Sequence, residues 1–498
     1  MKKFFILLFS CLFLCFSTIS VISCSPNEIE KVSKNLSTYS IFAQFNDNDK
    51  TISASENFLF VNNFNNDIST LCFHLYPRAF REGALFKPYT SLTLASTYPN
   101  GLNFGDLKIL NVSCDNNKLT YNIVGEDEDI LKIDFENQIK KNSSQKIKID
   151  FELKIPNSTH RFGFYDGNVN LGNWYPILCA KNGENFDTSP YYSTGDPFYS
   201  EIANYVVEFA YPNEYSFAST GNFEILQTEG KNLAKISAQA VRDFAISMSK
   251  NRQEISTSVL NTKVVYAGYK TDAKFNEYLG VAAKSLEFFN KNFGNYPYSC
   301  LTIVKSPFVF GGMEYPGLVL ISDSITDEDE FIKVIVHEIA HQWWYGVVGN
   351  NQIDEAWLDE SLAEFSAALF FKNNTEFKIS YDEIVRNAVS SYELYVDVIS
   401  TIRGSVNTKM NLKLSDYQND YEYSYMVYVK GVIMFDSLSS AVGEKKVVAG
   451  LKKYYAENKF KIATKKEFYQ AFNSACHKDV EGFFDGFLNG TSIISSVN

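Results

Sequence analysis

Histidine is scarce, with five in 498 residues, and only His337 and His341 stand close together along the chain. Cysteine is little commoner: of eight, Cys11, Cys15 and Cys24 fall in an apolar leader, which leaves Cys72, Cys114, Cys179, Cys300 and Cys476. An odd, irregularly spaced set is no disulfide framework, and without a Cys-x-x-Cys pair a cysteine zinc site is not expected either. Buried apolar thiols are the expectation. No long block of lysine or arginine occurs, and the net charge is -12, so a polyanion such as nucleic acid is excluded as a partner. Neither a fixed-period repeat nor a low-complexity tract is present beyond a polar stretch after Cys24, which argues against a solenoid or a largely disordered chain.

What is present is ordinary globular composition, 45% hydrophobic and 21% charged, with length for two or three cores. The chain opens with two lysines, then an apolar run from Phe4 to Phe16, then small and polar residues, the layout of an export signal. Val21-Ile22-Ser23-Cys24 resembles the bacterial lipoprotein signal, in which the cysteine is lipidated and becomes the new N-terminus; a retained membrane helix is the alternative. Residues 1–24 are therefore read as signal and 25–38 as polar tether. The body is expected to be exported and held through Cys24 on the outer face of the bacterial cytoplasmic membrane.

From Tyr39 to about Met248, short β-type runs such as TLCFHLYP, KIKIDFELKI and ANYVVEFAYP alternate with Asn, Asp, Gly and Pro clusters, which predicts an antiparallel β domain over 39–255. The pattern then turns helical. Phe275, Leu279, Ala282, Leu286 and Phe289 share a face, and strands are expected at Cys300 to Lys305 and Leu318 to Ser322 around FGGMEYPG. Helices follow over Asp329 to Tyr345, Glu355 to Phe371, Ser380 to Val398, Tyr423 to Ala441 and Glu444 to Glu457, then two short ones before Leu488. The second domain is thus mostly helical, over 256–498.

His337-Glu338-Ile339-Ala340-His341 lies in one of these helices. At 3.6 residues per turn, the two imidazoles project from one face and can reach a single Zn²⁺ at about 2.0–2.1 Å. Glu338 then stands beside the metal, placed to act as a base toward the attacking water. A third protein ligand is needed, and WLDESLAEF offers Glu360 and, one turn on, Glu364. Glu364 is either that ligand, an orienting partner of an imidazole, or an exposed helix carboxylate. His74, His160 and His477 stand in unrelated contexts.

Four blocks in order, FGGMEYPG at 310–317, VHEIAHQWW at 336–344, WLDESLAEF at 357–365 and YVKG at 428–431, resemble the zinc aminopeptidases of the aminopeptidase N and leukotriene hydrolase type, the gluzincin metallopeptidases. Weaker likeness in GDPFYSEIANYVVEF, VRDFAISMS and FFDGFL extends over most of the mature chain. The resemblance implies a saddle-shaped β domain followed by a thermolysin-like catalytic domain, one zinc per chain on His337, His341 and Glu360, and Glu338 as general base. It implies Tyr428 as oxyanion donor, and Gly311, Gly312, Met313 and Glu314 as substrate-binding residues. It also marks two departures: Tyr315 stands where relatives generally have Asn, which bears on the shape of the first subsite, and the large C-terminal helical domain of many relatives is not expected here.

The expected activity is hydrolysis of the N-terminal bond of peptides. Glu314, beside the zinc, would pair with a protonated α-amine, so peptides with a free N-terminus are the expected substrates. An endopeptidase of thermolysin type would share the zinc residues without needing Glu314, and a surface lipoprotein with a decayed site would bind without turnover.

Overall fold

The computed structural model describes residues 28–115 and 117–494. The leader and Cys24 lie outside the described residues. Glu28–Ser33, within the stretch read as tether, is a short helix, and the first strand starts at Thr38. Among the described residues, no single helix is long and apolar enough to cross a membrane.

The N-terminal half is built on an eight-stranded sheet. At its centre Thr38–Asn46 runs parallel to Ala203–Pro212 and antiparallel to Thr51–Val61. Strict alternation places Ile52, Ala54, Phe58 and Phe60 on one buried face of Thr51–Val61, which is what a period of two residues requires of a half-buried strand. Two four-stranded sheets and one two-stranded sheet complete this half. Its core is rich in aromatic rings, with Tyr39 stacked on Tyr205 at 4.9 Å and Phe209 set edge-on to Trp174 at 5.9 Å.

The second half begins with a five-stranded sheet whose first member, Arg252–Val259, starts just ahead of position 256. Thr262–Tyr269 and Cys300–Ser306 pair in parallel, so the chain must cross over between them, and it does so through the helix Phe275–Phe293. Gly312–Met313 pairs with Leu318–Ser322 at the sheet's edge. The helices then pack into one large apolar core, with Trp343, Trp344 and Trp357 buried in it.

A small apolar cluster joins the halves: Ala218 and Ala245 from the first meet Met313, Tyr315 and Leu318 from the second. Arg242 adds a polar bond between them. Its buried guanidinium donates to the carbonyl oxygens of Tyr345 at 2.9 Å, Ser200 at 2.7 Å and Lys461 at 3.0 Å.

Candidate functional site

Glu328–Ala340 is started by Asp327, whose side chain accepts from Glu330 N, and by three acids in the first turn facing the positive end of the helix dipole. The helix is shorter than the apolar pattern suggests. His341 is its C-cap rather than an interior residue, and Gln342 to Tyr345 continue as turns. Both imidazoles still face one point, because His341 keeps right-handed helical backbone angles. Glu360 opens the next helix, Glu360–Asn373, capped by Asp359.

His337 Nε2 and His341 Nε2 lie 3.0 Å apart, and Glu360 Oε2 lies 3.1 Å from the second and 3.3 Å from the first. Each ring is fixed from behind. His337 Nδ1 meets Glu364 Oε2 at 2.7 Å, and His341 Nδ1 meets the Trp344 carbonyl oxygen at 3.0 Å. These oxygens only accept, so each Nδ1 carries the proton and each Nε2 presents a lone pair inward. A tetrahedral ion with bonds of about 2.0–2.1 Å spaces its ligand atoms about 3.3–3.4 Å apart, close to what is found. The electrostatics also favour a cation: burial opposes charge on both imidazoles, yet Glu360 and Glu364 outweigh it at His337, and Glu360 and Glu314 do so at His341. His337, His341 and Glu360 therefore fit a zinc ion by donor type, spacing and field. Glu364 orients His337 instead of completing the set.

Glu338 is buried beside them, and its Oε2 has no hydrogen-bond partner. Burial raises its carboxyl to about 7, against the lowering effect of the two histidines. A carboxyl poised there exchanges a proton readily near neutral pH. Its neighbour must be small, since a Cβ on Gly312 would come within 2.2 Å of Glu338 Oε1.

Of the tyrosines near the fourth block, Tyr421 is exposed and Tyr425 stacks on Tyr395 at 4.4 Å. Tyr428 lies against the His337 ring at 5.9 Å; burial and the nearby Glu360 carboxylate raise its hydroxyl well above the ordinary value, so it stays a donor. It sits in a single π-turn, Tyr425–Val429, that leads into the helix Lys430–Val442.

These groups line one cavity of about 750 Å³, together with Gly311, Gly312 and Glu314. Met313, which the resemblance groups with the substrate-binding residues, does not line it. Along the edge strand its side chain alternates to the other side, into the cluster between the halves. Tyr315 is likewise turned away from the cavity and fully buried, so it does not shape the first subsite directly. His74, His160 and His477 stay apart from the centre; His74 stacks on Tyr76 at 4.6 Å and His477 caps Lys465–Cys476.

Asp196 is the functional side chain that sequence reading did not single out. It belongs to the GDPFYSEI block, within a loop of the β domain, and the fold brings it to the cavity wall, where Arg161 Nη1 holds it at 2.8 Å. Carboxylate oxygens of Asp196, Glu314 and Glu360 all lie within 4.8 Å of one another. Burial and Asp196 raise Glu314 well above the ordinary carboxylate range. Three acids so close, with Glu314 3% exposed, make a receptor for a cation.

Residues 277–487 match the Peptidase family M1 domain. Among curated relatives, Aminopeptidase 2 of Candida albicans is 24% identical over 312 residues, covering 55% of this chain and 33% of its own length. Aminopeptidase N of Lactococcus lactis subsp. lactis is 26% identical over 246 residues, covering 46% of this chain and 28% of its own. The chain thus spans about a third or less of the length of these relatives. The fold matches the M1 zinc metallopeptidase from Deinococcus radiodurans with a TM-score of 0.67 over 92% of this chain and 95% of that one, at 11% identity.

Proposed function

We propose, from the match of residues 277–487 to the Peptidase family M1 domain, a zinc-dependent aminopeptidase that removes the first residue of peptides with a free N-terminus. One observation carries the reading: the acids Asp196 and Glu314 stand within 4.8 Å of the ligand carboxylate Glu360. In a peptide the α-nitrogen and the first carbonyl carbon are two bonds, about 2.5 Å, apart. An ammonium seated on Asp196 and Glu314 therefore leaves room for only the first peptide bond at the metal.

When bound by His337, His341 and Glu360, zinc supplies Lewis acidity toward the carbonyl oxygen and lowers the pKa of water. Glu338 accepts the proton of the attacking water and returns it to the departing amine, two transfers open to a buried carboxylate whose Oε2 has no other hydrogen-bond partner. Tyr428 donates its hydroxyl hydrogen to the oxyanion as it forms, a contribution of about 2.7–4 kcal/mol in the transition state. Gly312 keeps the wall beside Glu338 open to the peptide. Glu314 and Asp196 pair with the α-ammonium, and a blocked N-terminus leaves both unpaired.

The N-terminal leader supports export and anchoring through a lipidated Cys24, which would place the enzyme among extracytoplasmic peptides. Changing Cys24 to Ala should release the body or block processing, and fractionation reads the result; a variant that stays in the membrane, with no lipid on wild type, leaves the uncleaved leader as anchor.

The activity is tested by metal content and turnover together. Purified protein should hold one zinc per chain, lose hydrolysis of an aminoacyl amide on chelation and regain it with added zinc. Metal-independent turnover, or none with one zinc bound, would refute the reading.

A further inference from the structure

We propose that Tyr315 is a positioning residue that sets the place of the Glu314 carboxylate by docking onto the β domain; this rests on the amine-anchoring role of Glu314. The carboxylate is weakly held by its own contacts, the hydrogen bond from Gln352 Nε2 being 3.5 Å long. Its position is therefore set by its backbone, and two handles fix that backbone. Gln342 is one: its Nε2 donates to the carbonyl oxygens of Glu314 at 3.2 Å and Tyr315 at 3.3 Å, while its Oε1 accepts from Gly317 N at 2.8 Å.

The Tyr315 side chain is the other handle, and it crosses between the halves of the molecule. Its ring packs with Ala218 and Ala245, and its hydroxyl donates to Asn173 Oδ1 at 3.0 Å. Asn173 Nδ2 in turn donates to Asp243 Oδ2 at 2.5 Å, and Asp243 also accepts from Phe244 N at 2.7 Å. Each member is buried, so each bond is protected from water. The receiving loop is shaped for a tyrosine. A Cβ on Gly172 would come within 1.8 Å of the Tyr315 hydroxyl oxygen, and Asn173 holds a left-handed backbone with φ of 51° that aims its amide. Glu314 and Tyr315 are adjacent residues on opposite sides of one peptide, so fixing the phenol fixes the acid.

The test is Tyr315→Phe, which keeps the ring and removes the hydroxyl, alongside Asn173→Gly, which keeps the backbone angle and removes the amide, and the double variant. The readout is the ratio of kcat/KM for one peptide in free and N-acetylated form, with zinc content measured in parallel. Each single variant should lower the ratio about 10-fold, since about 1 Å of misplacement costs up to about 100-fold. Hydrolysis of the acetylated peptide and the zinc content should hold, and the double variant should lose no more than either single one. A ratio unchanged in both single variants, or an equal loss on both peptides, overturns the positioning role while leaving the aminopeptidase reading intact. A wild-type ratio near one overturns the anchor itself and this inference with it. If Tyr315→Phe fails to fold, Asn173→Gly alone decides by the same ratio.

Discussion

Glu360 and Glu364 stand one turn apart on one helix, and atoms, not spacing, assign their roles. Glu360 Oε2 faces both Nε2 atoms, whereas Glu364 lies behind His337 on Nδ1. Glu360→Ala should strip the metal, and Glu364→Ala should weaken zinc affinity about 10–100-fold while leaving a site that fills at high zinc; titration against a competing chelator separates the two. Glu338→Gln should keep zinc and lower kcat by about 10²–10⁴, because an amide keeps the shape without the proton acceptor. His337, His341 and Glu360 were legible because they lie close in sequence or in a familiar block. Asp196 was not, because only the fold carries a loop of the β domain to Glu314 and Glu360.

Another residue makes a stability prediction. Glu56 points into the β core where the alternation calls for an apolar side chain, its two oxygens lack partners, and burial raises its carboxyl well above the ordinary value of 4.5. The folded chain keeps this proton while the unfolded chain gives it up above 4.5. The contribution is thus complete below that pH and lost as pH rises toward the folded value. Glu56→Gln should flatten this fall, so its Tm relative to wild type should climb between pH 4.5 and 8 in thermal scans. A constant difference would show that Glu56 is ionised in the fold.

At the scale of elements, the helix Glu360–Asn373 and the helix Lys430–Val442, which follows the π-turn bearing Tyr428, meet at a glycine. A Cβ on Gly431 would come within 2.5 Å of Ser361 Oγ and 2.9 Å of Ser361 Cα, while Ser361 Oγ donates to Val427 O at 2.5 Å. Gly431→Ala should push these helices apart and lower kcat well before it lowers zinc content, which assays on the zinc-loaded variant would register. Lys430 secures the same turn from outside, its buried amine donating to Thr408 O at 2.6 Å and Phe487 O at 2.7 Å. Lys430→Met removes the donor from Thr408 O, while Phe487 O still accepts from Gly490 N at 3.2 Å, and should cost about 1–3 kcal/mol of stability by denaturant titration. Helix periodicity placed these elements within a few residues. It did not reveal the π-turn at Tyr425–Val429 or the early end at Ala340, since both arise from packing around the site rather than from the apolar pattern.

At the scale of the whole molecule, two cores and the cluster between them divide the labour. The helical half carries His337, Glu338, His341 and Glu360, while the β half carries Asp196 and the loop that receives Tyr315. Fold class was legible because β-type runs and helical patterns occupy separate stretches. The joining surface was not, since Tyr315 reads as a subsite residue until its hydroxyl is seen on Asn173. If Asp196 and Glu314 admit only the first peptide bond to the proposed zinc site, a mass-spectrometric time course on one unblocked peptide with zinc-loaded protein reads it most directly. A ladder of products shortened from the N-terminus one residue at a time is expected; early fragments from internal cleavage would refute the aminopeptidase reading.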